Sequence, residues 1–208
     1  QLAYKLEAAG VASSVSNHTL WSGQADDMIA RYKAGNREPI ILMGHSAGAD
    51  ATISVARKLA QYNVPVALIV NFDPVAPDAV PNNVKQIVNY YVPAGWGRAV
   101  AADPRFKGKL ANVNENATTN HFSIDKDDSL QRQAIARVMA VTGGAVLSEF
   151  ALILAEECQK ERPEHVERGH ACREHAHPVH PGRMLVSSFE DQVLAGRSGE
   201  KREAGDGQ

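Results

Sequence analysis

The sequence has few features that would link its parts covalently, carry it across a membrane or attract a nucleic acid. Its only two cysteines, Cys158 and Cys172, lie in the last quarter, so no disulfide can link residues of the first 150. The longest apolar runs, such as Val64–Val70, are far shorter than the roughly 20 residues that cross a bilayer. The net charge of −2 provides no basic excess. We therefore expect no transmembrane segment and no nucleic-acid partner.

The sequence also lacks an initiator methionine and a signal-type apolar segment. It begins at Gln1 and continues directly into an amphipathic helix. We expect an N-terminally truncated chain, so the missing signal indicates nothing about localisation, which stays unknown.

Apolar runs alternate with segments of helical periodicity along most of the chain. Strands are predicted at Val11–Val15, Ile40–Met43, Val64–Phe72, Val84–Val92 and Leu110–Val113. Helices are predicted at Leu2–Ala9, Gln24–Lys33, Ala49–Tyr62 and Ser129–Val141. Strands that alternate with helices predict an α/β fold, with a mostly parallel sheet and helices on both faces.

The domain organisation follows from a change in composition near residue 143. Residues 1–142 form the predicted α/β core, and residues 143–161 are predicted to add one helix. Residues 162–208 are charged and rich in histidine, and we expect a disordered tail. The tail histidines and Cys172 match no structural zinc module, so no metal or other cofactor is predicted.

The segment Gly44-His45-Ser46-Ala47-Gly48 follows a predicted strand and precedes a predicted helix. Gly-x-Ser-x-Gly in this context is typical of a nucleophile elbow, in which two glycines leave room for a tight turn. The helix N-terminus provides an unpaired N–H, that of Ala47, for a developing oxyanion. The alternative is a serine that merely caps a helix. The context favours Ser46 as a nucleophile.

A nucleophilic serine needs a histidine as base and an acid that orients the histidine. Asp73 directly follows the strand Val64–Phe72, at the strand end where open α/β sheets build their sites. Pro74 stops the strand there. Asp73 is the predicted acid, with Asp78 and Asp103 as open alternatives.

Only three of the eight histidines precede residue 160. In proteins with such an elbow, the chain order is serine, acid, histidine, and His18 comes before the serine. His45 lies inside the elbow, where its side chain cannot turn back onto Ser46. His121, in the loop before the last predicted helix, is therefore the predicted base.

Two residues are assigned to substrate binding. Trp96, together with Tyr90 and Tyr91, would line an acyl or aryl pocket, and His45 lies next to the nucleophile. The alternative, that Trp96 only covers the end of the sheet, stays open.

These motifs carry a resemblance to a known family. Residues 1–142 resemble an α/β-hydrolase of the lipase and esterase type, since Gly44 to Gly48 is similar to the Gly-His-Ser-x-Gly elbow of many lipases. Asn71-Phe72-Asp73-Pro74 resembles the segment that carries the triad acid in pancreatic-type lipases. The run around His121 is similar to uncharacterised bacterial hydrolase-like proteins.

The resemblance implies a serine hydrolase that cleaves carboxylic ester or thioester bonds of a small-molecule substrate through an acyl-enzyme on Ser46. It places the second oxyanion-hole donor on a loop before Gln1, and the pancreatic-type lid and disulfides are not found in this sequence. An acyltransferase or amidase with the same triad, a non-catalytic binding protein and an inactive fragment are the alternatives. The sequence does not indicate the oligomeric state.

Overall fold

The computed structural model describes residues 1–116 and 119–143, and the backbone of 184–187. Six strands form one sheet in the order β1-β6-β2-β3-β4-β5, and every neighbouring pair is parallel. The strands are β1 (Ser13–Ser16), β2 (Ile41–His45), β3 (Leu68–Phe72), β4 (Gln86–Tyr91), β5 (Lys109–Asn114) and β6 (Met184–Ser187). The helices are α1 (Leu2–Ala8), α2 (Trp21–Lys33), α3 (Ala47–Ala60) and α4 (Asp128–Thr142).

Helices cover both faces of the sheet, because successive side chains of the central strands point to opposite sides. Met43 packs in the cluster that contains α1 and α4 residues, whereas Leu42 packs in the cluster that contains α2 and α3 residues. Every residue of β3 is buried, as expected for a parallel strand covered on both faces. The predicted α/β arrangement of a parallel sheet and helices is confirmed. None of the helices in the described residues is long and apolar enough to span a bilayer.

Several element boundaries differ from the prediction, and helix α2, for example, begins at Trp21 rather than Gln24. Helix α3 begins at Ala47 rather than Ala49, so the elbow leads into the helix without an intervening loop. Strand β3 begins at Leu68, four residues after the predicted start at Val64. Before it, Val66 forms an isolated parallel bridge with Val84, and Pro65 has no N–H to extend a ladder further.

The position of β6 is a finding that the sequence pattern does not indicate. Met184–Ser187 lies between β1 and β2, with Ser187 paired to Ser16 on one side and Gly44 on the other. These four residues belong to the segment predicted as a tail, and here they form a strand of the sheet. Gly143 ends α4 in the left-handed conformation. The other residues of 143–161 and 162–208 lie outside the described residues, so their predictions stay predictions.

Candidate active site

Ser46 lies at the junction of β2 and α3 with φ 54° and ψ −127°, a region that L residues rarely adopt. Its N–H donates to the Phe72 carbonyl at 2.9 Å, and its carbonyl accepts the Ala49 N–H at 2.9 Å. A Cβ on Gly44 would lie 2.3 Å from the Gly48 carbonyl oxygen. The turn therefore needs glycine at position 44, and it holds Ser46 at the carboxyl end of the sheet.

The first N–H of α3 belongs to Ala47, directly after the serine. Within the described residues this N–H has no hydrogen-bond acceptor. An unpaired N–H at a helix N-terminus, where the positive end of the helix dipole lies, favours a bound anion. Ala47 is therefore positioned as the predicted oxyanion donor requires.

Asp73 and His121 form a buried pair at the same, carboxyl end of the sheet. His121 Nδ1 donates to Asp73 Oδ2 at 2.6 Å, and Asp73 Oδ1 accepts the Val92 N–H at 2.6 Å. Both carboxylate oxygens are thus occupied, and the side chain of Asp73 is fully buried. Because Nδ1 carries the proton in this bond, neutral His121 has its lone pair on Nε2, as a general base requires.

The loop after β4 covers the carboxylate of Asp73. The Asp73 N–H donates to the Tyr90 carbonyl at 2.7 Å, which holds the residue against the end of β4. A Cβ on Gly97 would lie 1.6 Å from Asp73 Oδ1 and 2.9 Å from the Val92 nitrogen. Glycine at position 97 therefore allows the loop backbone to lie directly on the acid.

The two alternative acids lie elsewhere. Asp78 Oδ2 is 3.9 Å from Arg57 Nε, with most of its side chain exposed. Asp103 accepts the backbone N–H of Arg105 at 2.9 Å. Of the three candidates, the structure brings Asp73 to His121.

The Ser46 hydroxyl makes no hydrogen bond with any residue that the structure describes. The predicted bond from Ser46 Oγ to His121 Nε2 is therefore not formed in this structure. Hydrogen bonds between catalytic groups are often long without substrate and shorten in the reacting complex. The three predicted residues follow β2, β3 and β5, beyond the carboxyl ends of the parallel strands.

The loop that carries His121 is held to the fold on both sides of the histidine. Asn120 Oδ1 accepts the Phe122 N–H at 2.9 Å, and the Ile124 N–H donates to the Asn120 carbonyl at 3.0 Å. The Ile124 side chain is fully buried in the core. Gln131 Nε2, from α4, donates to the Asp125 carbonyl at 2.6 Å. The loop is therefore a hydrogen-bonded turn with a side chain in the core.

His45 faces this loop. Its Nε2 donates to the His121 carbonyl at 2.7 Å, and its Nδ1 lies 3.9 Å from Asp125 Oδ1. Burial lowers the pKa of His45 below its ordinary value of 6.5, against the opposing effect of Asp125. Both ring nitrogens face protein groups, so the predicted substrate-binding role of His45 gains no support from its surroundings.

Two exposed aromatic rings flank His121. The Trp96 ring lies 4.8 Å from the His121 ring and 5.6 Å from the Phe122 ring, measured between centroids. Trp96 is 58% exposed and Phe122 is 68% exposed. They line an open cavity of about 460 Å³ that His121 also lines. Tyr90 is fully buried and stacks on Phe72, so it is not part of this cavity.

The chain was compared with protein-family models, curated proteins and solved structures. None of them matches. Within the described residues, no group of three or more His, Cys, Asp or Glu side chains is placed to hold a metal ion. The tail histidines and Cys172 lie outside those residues. Any function assigned to this chain therefore rests on the geometry of the site.

The sequence analysis missed a row of three asparagines, two of which, Asn89 and Asn112, bond the loop bearing Trp96 and Gly97. Asn71, Asn89 and Asn112 are neighbours in register on β3, β4 and β5. Asn89 Nδ2 donates to the Arg98 carbonyl at 2.9 Å and to Asn112 Oδ1 at 2.9 Å. Asn112 also bonds the N–H and the carbonyl of Val100. The sequence contains the three asparagines, but only the strand register shows that they meet.

Proposed function

We propose that this chain is a serine hydrolase of the α/β-hydrolase type, which cleaves carboxylic ester or thioester bonds through an acyl-enzyme on Ser46. The observation that carries the proposal is the 2.6 Å bond between His121 Nδ1 and Asp73 Oδ2, at the sheet edge that also holds Ser46. Each carboxylate oxygen has a partner, and the histidine has its free nitrogen available as a base. A histidine and an acid paired in this way are suited to proton transfer, in addition to stabilising the fold.

In the proposed reaction, Ser46 Oγ attacks the carbonyl carbon of the substrate and His121 Nε2 accepts the hydroxyl proton. Asp73 stabilises the imidazolium that forms, and the Ala47 N–H binds the oxyanion. The tetrahedral intermediate then collapses, and the leaving alcohol or thiol takes the proton from His121. A water molecule, deprotonated by His121, hydrolyses the acyl-enzyme and restores Ser46.

The surroundings of His121 support an apolar substrate group. The imidazolium transfers its proton to the leaving group, so the leaving group must lie on the accessible side of the His121 ring. Next to His121, Trp96 and Phe122 provide exposed aromatic surface and line an open cavity. We assign to this cavity an apolar group of the ester, which extends the predicted substrate role of Trp96.

A non-catalytic binding protein is the second candidate, and one observation favours it. The Ser46 hydroxyl makes no hydrogen bond with His121 or with any other described residue. An acyltransferase or amidase would use the same residues and differ only in the acceptor or in the bond that is cleaved.

Hydrolysis of a panel of p-nitrophenyl esters of increasing acyl length tests the proposal. Ser46→Ala should lower kcat by about 10⁴- to 10⁶-fold, as triad substitutions do. Ser54→Ala is the matched control, because Ser54 lies on α3 and its hydroxyl bonds only the Asp50 carbonyl of its own helix. Equal rates in the two variants, or a wild-type protein inactive on the whole panel, would refute the assignment.

A further inference from the structure

We infer that His45, the residue directly before the nucleophile, is a positioning residue that holds the general base at the right distance from Ser46. It acts through its hydrogen bond to the His121 backbone. The inference rests on the proposed function, because it gives His45 a role in the same reaction.

The bond joins two parts of the site that the chain keeps far apart. His45 Nε2 donates to the His121 carbonyl at 2.7 Å across 76 residues of sequence. His45 is covalently next to Ser46, so this contact fixes the backbone of the base relative to the backbone of the nucleophile. The Asp73 bond holds the His121 ring itself. The two contacts therefore hold different parts of His121, the backbone by His45 and the ring by Asp73.

The surroundings of His45 determine its orientation. A carbonyl only accepts hydrogen bonds, so Nε2 of neutral His45 carries the proton and Nδ1 does not. Nδ1 faces Asp125 Oδ1 at 3.9 Å, and this buried oxygen has no hydrogen-bond partner among the described residues. A ring flip would turn the donor away from the His121 carbonyl and leave that carbonyl without this partner. If His45 gains a second proton, on Nδ1, the Asp125 carboxylate attracts that proton. Nε2 then still donates to the His121 carbonyl.

Asp125 is itself fixed, since its backbone carbonyl accepts a bond from the buried Gln131 side chain at 2.6 Å. His45 therefore acts on the base through the His121 backbone, and Asp125 faces the other ring nitrogen of His45. Misplacing a reacting group by about 1 Å can cost on the order of 10² in rate. Loss of the His45 donor should have an effect of that size.

The matched variants are His45→Gln and His45→Asn. The glutamine amide nitrogen can reach about the place of Nε2 and donate to the His121 carbonyl, whereas the asparagine amide is one methylene shorter. For p-nitrophenyl ester hydrolysis, His45→Asn should lower kcat about 10²-fold with KM within about threefold. His45→Gln should keep kcat within about fivefold of wild type. Equal kcat values in the two variants, whether both high or both low, would overturn the positioning role.

A second readout does not depend on ester chemistry. Proton NMR of the full chain detects the Nδ1 proton that His121 shares with Asp73 in their short bond. This resonance should persist in His45→Gln and shift or disappear in His45→Asn. An unchanged resonance in His45→Asn would overturn the inference even if the wild type hydrolyses no ester. A wild type that is inactive but shows the expected difference in NMR would refute the proposed function alone.

Discussion

Gly97→Ala offers a sharp test of how the acid is held, because the residue touches the site only through its backbone. An added Cβ would lie 1.6 Å from Asp73 Oδ1, whereas real Cβ contacts are essentially never closer than 3.0 Å. The carboxylate or the loop must therefore move by more than about 1 Å, a misplacement that can cost on the order of 10² in rate. The same shift would disturb the bonds of Asp73 to Val92 and His121.

The expected loss in kcat for ester hydrolysis lies between about 10²-fold, for misplacement of the acid, and about 10⁴-fold, the effect of losing the function of the triad acid. Gly95→Ala is the matched control in the same loop. Its Cβ would lie 3.5 Å from the Val92 carbonyl oxygen, an ordinary van der Waals contact. Circular dichroism melting of both variants separates a local effect from unfolding. A folded Gly97→Ala protein with kcat within about threefold of Gly95→Ala would refute the reasoning.

Three further predictions concern stability. Asn71→Ala removes two buried side-chain bonds, to the Ala49 carbonyl at 3.0 Å and from the Thr52 hydroxyl at 2.8 Å, so the free energy of unfolding in urea should fall by about 1–3 kcal/mol; an unchanged midpoint contradicts this. Leu185→Pro removes a ladder N–H from β6, which lies between β1 and β2, so the melting temperature should fall by several degrees; an unchanged value would show that β6 is not an inner strand. Burial lowers the pKa of His45 in the folded chain. As pH falls through 6.5, His45 therefore binds a proton more readily in the unfolded chain than in the folded one. Folding stability is lost as a result. His45→Gln should therefore lose less stability than wild type between about pH 7 and pH 5, measured by urea titration at each pH, and equal losses would contradict the assignment.

The local pattern of the sequence was sufficient to predict the four helices, five of the six strands and the class of the fold. The spacing of apolar residues predicts each of the four helices, and the run before Asp73 predicts a buried strand at the centre of the sheet. These signals are local, because burial on one helical face or on both strand faces leaves a period in the sequence. The order of the strands is not local, and the place of β6 between β1 and β2 could not be predicted.

The candidate site likewise has a part that local sequence signals predict and a part that they do not. Ser46, Asp73 and His121 were selected by motif, strand end and chain order, and the structure brings Asp73 and His121 into contact. The supporting contacts join residues far apart in sequence. Nothing in the sequence around Gly97 indicates that its missing side chain makes room for a carboxylate. Likewise, the elbow motif does not indicate that the His45 ring bonds the His121 carbonyl.

Labelling with a fluorophosphonate probe, followed by peptide mapping, tests the central claim most directly, because the probe reacts with an activated serine whatever the natural substrate is. A single adduct on Ser46 is the predicted result. Asp73→Asn and His121→Ala should slow its formation by about 10³-fold or more, since each removes part of the activation of Ser46. An unlabelled Ser46 in the folded wild-type protein, or labelling at the same rate in His121→Ala, would contradict the assignment of this chain as a serine hydrolase.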